Sequence, residues 1–180
     1  MFVQTEITPN PNSLKFLPGK SVSNNGSFEV TKKEDTESEL VRNLLSINGV
    51  TGVFLGEDFL SINKEENITW EDIKHIVISL INDFYSTGKE FVIGNDLFEK
   101  KKEGYNEIEK QIISILETKI RPAVAKDGGD IKFKEFKDGV VKVELQGSCS
   151  GCPSSTMTLK QGVQNLLCHY LPEVKEVVAI

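Results

Sequence analysis

The chain has 180 residues, which is enough for one medium-sized domain or two small ones. With 38% hydrophobic and 27% charged residues its composition is globular, and no stretch approaches the ~20 apolar residues of a membrane span. The formal net charge of −6 lies within residues 1–87, so neither half carries the basic excess that nucleic-acid binding requires.

The start of the chain bears on its compartment. MFVQTEITPNP has no basic region followed by an apolar core, as in a secretory signal, and it is not Arg-rich and amphipathic, as in a transit peptide. The three cysteines are odd in number and all follow residue 148, which indicates a reducing compartment rather than a disulfide-stapled secreted protein. We therefore expect a bacterial cytoplasmic protein rather than a mitochondrial matrix protein.

The first half of the chain has the pattern of a small α+β domain, which we place at residues 1–87. Alternating and helical apolar spacings predict its elements, and Ser38 and Thr69 stand where helix N-caps are expected. In chain order these elements are strands at 2–7 and 13–17, a long loop at 18–36, a helix at 38–47, a hairpin of 50–55 and 59–62, and a helix from 70 to 86.

A segment without clear periodicity, residues 88–105, is predicted to be a solvated linker because it carries a cluster of charged residues at 99–103. The second predicted domain, residues 106–180, has the order helix, strand, strand, helix, strand. This predicts a second α+β unit with its helices packed on one sheet. Pro122 is expected to kink or end the first of these helices, and Asp138-Gly139 is expected to form a hairpin turn.

The stretch GSCSGCPSS at 147–155 carries the chemistry of this sequence. Cys149 and Cys152 lie between a predicted strand at 140–146 and a predicted helix at 154–171. A thiol at a helix N-terminus is favoured as the thiolate, which is both the metal ligand and the nucleophile. The two cysteines are therefore the candidate site residues.

Three sites remain open from the residues alone. A thioredoxin-like redox pair has this local context, but a thioredoxin unit needs more sheet after the motif than the tail offers. A closed zinc site needs four ligands, and Cys168 stands 16 residues beyond Cys152, or ~24 Å along a continuous helix. A metal centre shared by two chains would gain four thiolates from two such loops.

The flanking sequence adds a resemblance. RPAVAKDGGD at 121–130, LQGSCSGCPSSTMTLKQGVQNLL at 145–167 and PEV at 172–174 closely resemble the C-terminal domain of Nfu-type (NifU-like) iron–sulfur proteins. QTEITPNPNSLKFLPG at 4–19 and VFLGEDFLSI at 53–62 resemble the N-terminal domain of the same family. The resemblance runs in order over almost the whole chain.

This resemblance implies a scaffold or carrier rather than an enzyme. It implies that Cys149 and Cys152 of two protomers hold a 4Fe–4S cluster at a homodimer interface and pass it to apo-proteins. Upstream cluster-assembly factors are the other expected partners, and the N-terminal domain is expected to be a recognition module. Neither nucleic acid nor membrane is expected as a partner.

Overall fold

A computed structural model describes residues 2–23, 27–88, 104–149 and 153–180, with the backbone alone for residues 153–156 and 158. Within these residues the chain forms two sheets with helices packed on them, so the predicted α+β class is confirmed. The predicted linker lies almost entirely outside the described residues, and the domain limits at 1–87 and 106–180 stay predictions.

The N-terminal sheet contains five strands in the described part of the chain, in the order β1-β2-β5-β4-β3, and all neighbours are antiparallel. The predicted hairpin is confirmed, with β4 and β5 joined through the turn at residues 56–59. The elements are β1 (Gln4–Ile7), β2 (Ser13–Leu17), β3 (Phe28–Val30), α1 (Glu39–Leu45), β4 (Val50–Leu55), β5 (Leu60–Lys64) and α2 (Trp70–Ser86).

The loop predicted at 18–36 is partly wrong, because β3 lies within it and pairs with β4 at the sheet edge. Three residues are too few to display the alternation that identifies a strand from sequence. The cap predicted for α1 is confirmed, since the Ser38 hydroxyl accepts a hydrogen bond from the Val41 amide at 3.5 Å.

One face of this sheet packs against α1 and α2 and forms the first hydrophobic core. Successive side chains along a strand point to opposite faces, so alternate residues of β4 and β5 enter this core. The largest fully buried members of the core are Phe16, Leu44, Leu55, Leu60, Ile62, Ile81 and Val41.

The C-terminal sheet has the order β6-β7-β8, with β7 antiparallel to β6 and parallel to β8. Asp138 and Gly139 connect β6 to β7 with φ of 53° and 80°, the left-handed pair that a tight hairpin turn uses. The elements are α3 (Glu107–Ile115), a π-helical turn (Leu116–Ile120), α4 (Arg121–Lys126), β6 (Gly129–Lys137), β7 (Val140–Gly147), α5 (Pro153–Tyr170) and β8 (Glu176–Ala179).

Pro122 does not end the helix that precedes β6. The chain passes from α3 through the π-helical turn into α4, and Arg121 keeps helical angles of φ −57° and ψ −41°. Proline lacks the N–H that an α-helix needs, and a π-turn is one of the ways in which a helix accommodates such an interruption. Helical structure thus continues to Lys126 and ends directly before the Gly128-Gly129 pair.

Candidate metal centre

Cys149 lies two residues after the end of β7 and four residues before the start of α5. Its side chain is 6% exposed and packs with the second hydrophobic core, which includes Val124, Ile131 and Val163. Cys152 lies outside the described residues, so its position relative to Cys149 stays a prediction. The described half of the motif is therefore held against the body of the domain rather than projecting from it.

Two glycines, Gly147 at the end of β7 and Gly128 just before β6, shape the cysteine loop. Gly147, the last residue of β7, has φ of +68°, and a Cβ there would lie 2.6 Å from the Gly128 carbonyl oxygen. The Ser148 amide donates to that same carbonyl at 3.2 Å, and the Ser148 hydroxyl donates to the Asp127 carbonyl. Gly147 thus turns the chain back over the start of β6.

The sulfur of Cys149 lies directly against Gly129, the first residue of β6. A Cβ added to Gly129 would lie 2.7 Å from Cys149 Sγ and 2.6 Å from the Gln146 carbonyl oxygen. Any side chain at residue 129 would displace either the thiol or the strand. The Asp127-Gly128-Gly129-Asp130 turn is therefore part of the candidate site, because it forms the wall that Cys149 contacts.

A buried ion pair stands beside this wall. Asp130 is 4% exposed and receives two hydrogen bonds from the Arg121 guanidinium, from Nε and Nη2, both at 2.9 Å. Burial pulls the pKa of Arg121 down, but its hydrogen bonds and charge interaction with Asp130 outweigh burial and leave the pKa raised. The pair joins the first residue of α4 to the second residue of β6.

The outer face of the N-terminal sheet, on the side away from α1 and α2, contacts the cysteine loop. The Ser61 hydroxyl donates to the Gly128 carbonyl at 2.6 Å, and the Asn63 amide donates to the Gly147 carbonyl at 3.1 Å. The Asn10 amide donates to the Ser148 carbonyl at 3.1 Å. None of the three was predicted as a site residue. Ser61 and Asn63 alternate with apolar residues, which normally indicates a face in water, and Asn10 lies in the turn between β1 and β2.

One signal in the sequence marks this outer face. Phe54 pairs with Ser61 across β4 and β5, so it points to the outer face, yet it is 1% exposed. A Cβ on Gly147 would lie 3.0 Å from Phe54 Cγ, which shows that the ring packs on the loop. Val53, Phe54 and Leu55 are consecutive apolar residues, a pattern that predicts a strand covered on both faces.

The remaining cysteine and the histidines are not brought to the loop. Cys168 lies in the last turn of α5, where its thiol donates to the Val174 carbonyl at 3.1 Å, and His169 follows it. His75 lies on α2 of the other sheet. Among the described residues, no group of three or more His, Cys, Asp or Glu side chains is arranged to hold a metal ion.

Comparison with known proteins places these features in a family. A model described as a NifU-like domain matches residues 112–178, and one described as the N-terminal domain of scaffold protein Nfu/NifU matches residues 3–88. The chain is 44% identical to the human protein named "NFU1 iron-sulfur cluster scaffold homolog, mitochondrial" over 98% of its own length and 71% of that protein. It is 41% identical to the Arabidopsis thaliana "NifU-like protein 4, mitochondrial", covering 98% of this chain and 65% of that one.

A solved structure is also similar. The solution structure of a NifU-like protein from Saccharomyces cerevisiae is 28% identical, covers 51% of this chain and 84% of that one, and has a TM-score of 0.47. In the described residues no helix is both long and apolar enough to span a bilayer.

The expectation of a bacterial cytoplasmic protein is wrong. The relatives from Arabidopsis, human and Drosophila are all named as mitochondrial, which points to mitochondria. The expectation rested on the residues at the start of this chain, and the chain spans about two thirds of the plant relatives' length, 65% and 67%. The identity of the matched part and the two family models lead to one conclusion: the chain belongs to the Nfu-type family of NifU-like proteins.

Proposed function

We propose that this protein is an iron–sulfur cluster scaffold and carrier that holds a 4Fe–4S cluster between two protomers through Cys149 and Cys152. The observation that carries the proposal is its similarity, over 98% of the chain, to a protein named as an iron–sulfur cluster scaffold. The resemblance assigns the cluster to the two motif cysteines.

Ligand arithmetic supports a site shared by two chains. A 4Fe–4S cluster takes four thiolates, and the motif supplies two per chain. The third cysteine, Cys168, lies near the far end of an 18-residue helix and is engaged with Val174. Two cysteine loops that meet across a two-fold axis supply the full set without Cys168.

A shared site also suits cluster transfer. Each protomer holds the cluster by two ligands, so a target protein replaces them one at a time. A target thiolate binds iron as a carrier thiolate leaves, and the proton of the incoming thiol passes to the outgoing sulfur. The cluster is transferred to the target protein with no change in its oxidation state. The protein therefore acts as a carrier for apo-proteins and not as an enzyme.

Serine substitutions test the ligand assignment. Cys149→Ser and Cys152→Ser are each expected to abolish cluster binding after anaerobic reconstitution, because serine oxygen is a poor replacement for a thiolate toward iron and sulfide. Cys168→Ser is the matched control and should keep most of the bound iron. Loss of iron confined to Cys168→Ser would contradict the assignment.

A further inference from the structure

The outer face of the N-terminal sheet would expose an apolar ring and a strand hydroxyl if nothing packed on it. Phe54 is 1% exposed and Ser61 is 0% exposed, yet both point away from the core that lies beneath α1 and α2. Gly147 of the cysteine loop lies against the Phe54 ring, which also packs on Phe59 with ring centroids 5.8 Å apart, and Gly128 lies against Ser61. This face is therefore a binding surface, and the loop occupies it.

The recognition is directed at the backbone of the loop. Asn10, Ser61 and Asn63 donate to the carbonyls of Ser148, Gly128 and Gly147, at 3.1, 2.6 and 3.1 Å. These carbonyls lie immediately before Cys149 and on the glycine turn beside it. Side chains that hold such carbonyls fix the path of the chain into Cys149.

A second contact between the same domains lies beside the first. The Ser27 hydroxyl donates to the Asp130 carboxylate, and the Lys132 ammonium donates to the Ser27 carbonyl at 2.5 Å. Asp130 is the residue that Arg121 holds at the start of β6. Ser27, the residue before β3, is thereby joined to the same turn that Cys149 contacts.

We propose that the outer face of the N-terminal sheet is a cap that holds the cysteine loop with Cys149 turned inward, and that it undocks before two protomers share a cluster. In the capped arrangement Cys149 is 6% exposed and its sulfur lies against Gly129. A residue so buried presents little of its surface to a metal group shared with another chain. The second half of this proposal rests on the proposed function, whereas the first half does not.

If the outer sheet face caps the loop, removing its hydrogen bonds should expose Cys149 even in iron-free protein. In the full-length protein carrying Cys152→Ser, so that the motif holds one thiol, we compare iodoacetamide alkylation with and without Asn10→Ala plus Asn63→Ala. Loss of the two hydrogen bonds to the loop carbonyls is expected to raise the Cys149 rate by at least about tenfold. The same truncations also remove the bonds that these amides make to Asn12 and Glu29, within the N-terminal domain. Mass spectrometry of the peptides reports Cys149 and Cys168 separately.

Two matched variants make the test specific. Asn43→Ala plus Asn48→Ala removes two exposed amides of the same domain that lie away from the loop, and it should leave the Cys149 rate unchanged. Asn63→Asp keeps the shape of the side chain but turns a carboxylate toward the Gly147 carbonyl. It should reproduce the rate increase if the double truncation does not fold.

The proposed cap would be contradicted if the alkylation rate of Cys149 were unchanged in both cap variants. It would also be contradicted if the alkylation rate of Cys168 increased equally. Neither outcome involves iron. A protein that binds no iron on reconstitution but shows the selective rate increase would remove the proposed function and leave the inward-turned loop standing. The two failures are therefore distinguishable.

Discussion

At the scale of single residues, the candidate site depends on two glycines, at positions where a larger side chain would clash with the loop or strain the backbone. Gly129 leaves room for the Cys149 sulfur, and Gly147 adopts a backbone conformation that other residues reach only at a cost of about 1–2 kcal/mol. The position of Cys149 is therefore set by the glycines beside it as much as by the cysteine itself.

Gly129→Ala tests this dependence. The added methyl lies 2.7 Å from Cys149 Sγ and 2.6 Å from a backbone oxygen, and such overpacking costs about 1–3 kcal/mol of stability. Gly162→Ala is the control, since Gly162 lies on the exposed face of α5 with nothing within 4 Å of an added Cβ. It should gain about 0.5–1 kcal/mol. Urea unfolding measures both, and equal effects of the two substitutions would contradict the assigned contact.

The Arg121–Asp130 pair gives a second prediction at this scale. Arg121→Met leaves the Asp130 carboxylate, 4% exposed, without its bidentate partner, and we expect a loss of roughly 2–4 kcal/mol in the free energy of unfolding. Arg121→Met combined with Asp130→Asn should recover part of that loss, because the second change removes the stranded charge. A double variant no more stable than the single one would argue against a buried charge as the cause.

At the scale of secondary-structure elements, apolar periodicity predicted the helices and strands that have enough residues to show a period. The strand at 13–17, the first hairpin and α2 follow the sequence pattern closely. The edge strand β3 was missed because it is three residues long. Pro122 was expected to kink or end its helix; it does not end it, because a π-helical turn that leaves no mark in the apolar spacing lets helical structure continue to Lys126.

The end of α2 carries a pH-dependent contact. The Tyr85 hydroxyl donates to the Ser21 carbonyl at 3.2 Å, and burial raises the pKa of Tyr85 to about 12. Tyrosine in the unfolded chain ionises near pH 10, so the unfolded state loses this proton first. The stability that Tyr85 contributes is therefore present below pH 10 and is lost as the pH rises from about 10 to about 12.

Tyr85→Phe should flatten that alkaline part of the stability profile. At pH 7 the variant should be less stable by about 1 kcal/mol, because the hydrogen bond to Ser21 is lost. The free energies of unfolding of both proteins, measured between pH 7 and pH 12, should converge above pH 10. Parallel profiles over the whole range would show that Tyr85 is not the group responsible.

At the scale of the whole molecule, the segment that covers the outer sheet face was beyond prediction from sequence, although the apolar run Val53-Phe54-Leu55 marks that face as covered. The loop carbonyls that this face binds stand 67, 84 and 138 residues away in sequence from their donors, so no local pattern encodes the contact. The apolar runs at 50–55 and 59–62 predicted a hairpin, which is confirmed, but they did not indicate what covers its outer face. The outer face is covered by a second domain.

The candidate site itself was found through flanking sequence. A lone pair of cysteines three residues apart leaves redox, zinc and shared-cluster sites open, and the residues around it supplied the family resemblance that the comparisons then confirmed. Residues such as Asn10 and Ser61 carry no distinctive chemistry. Their role is visible only from their contacts with the cysteine loop, because the fold brings them to it from distant parts of the sequence.

Anaerobic reconstitution with iron and sulfide tests whether two chains share one cluster. Mössbauer spectra and native mass are measured on the same sample. We expect a 4Fe–4S signal at one cluster per dimer. A monomer that binds no iron, yet cycles between dithiol and disulfide, would contradict it and favour a redox pair at Cys149 and Cys152.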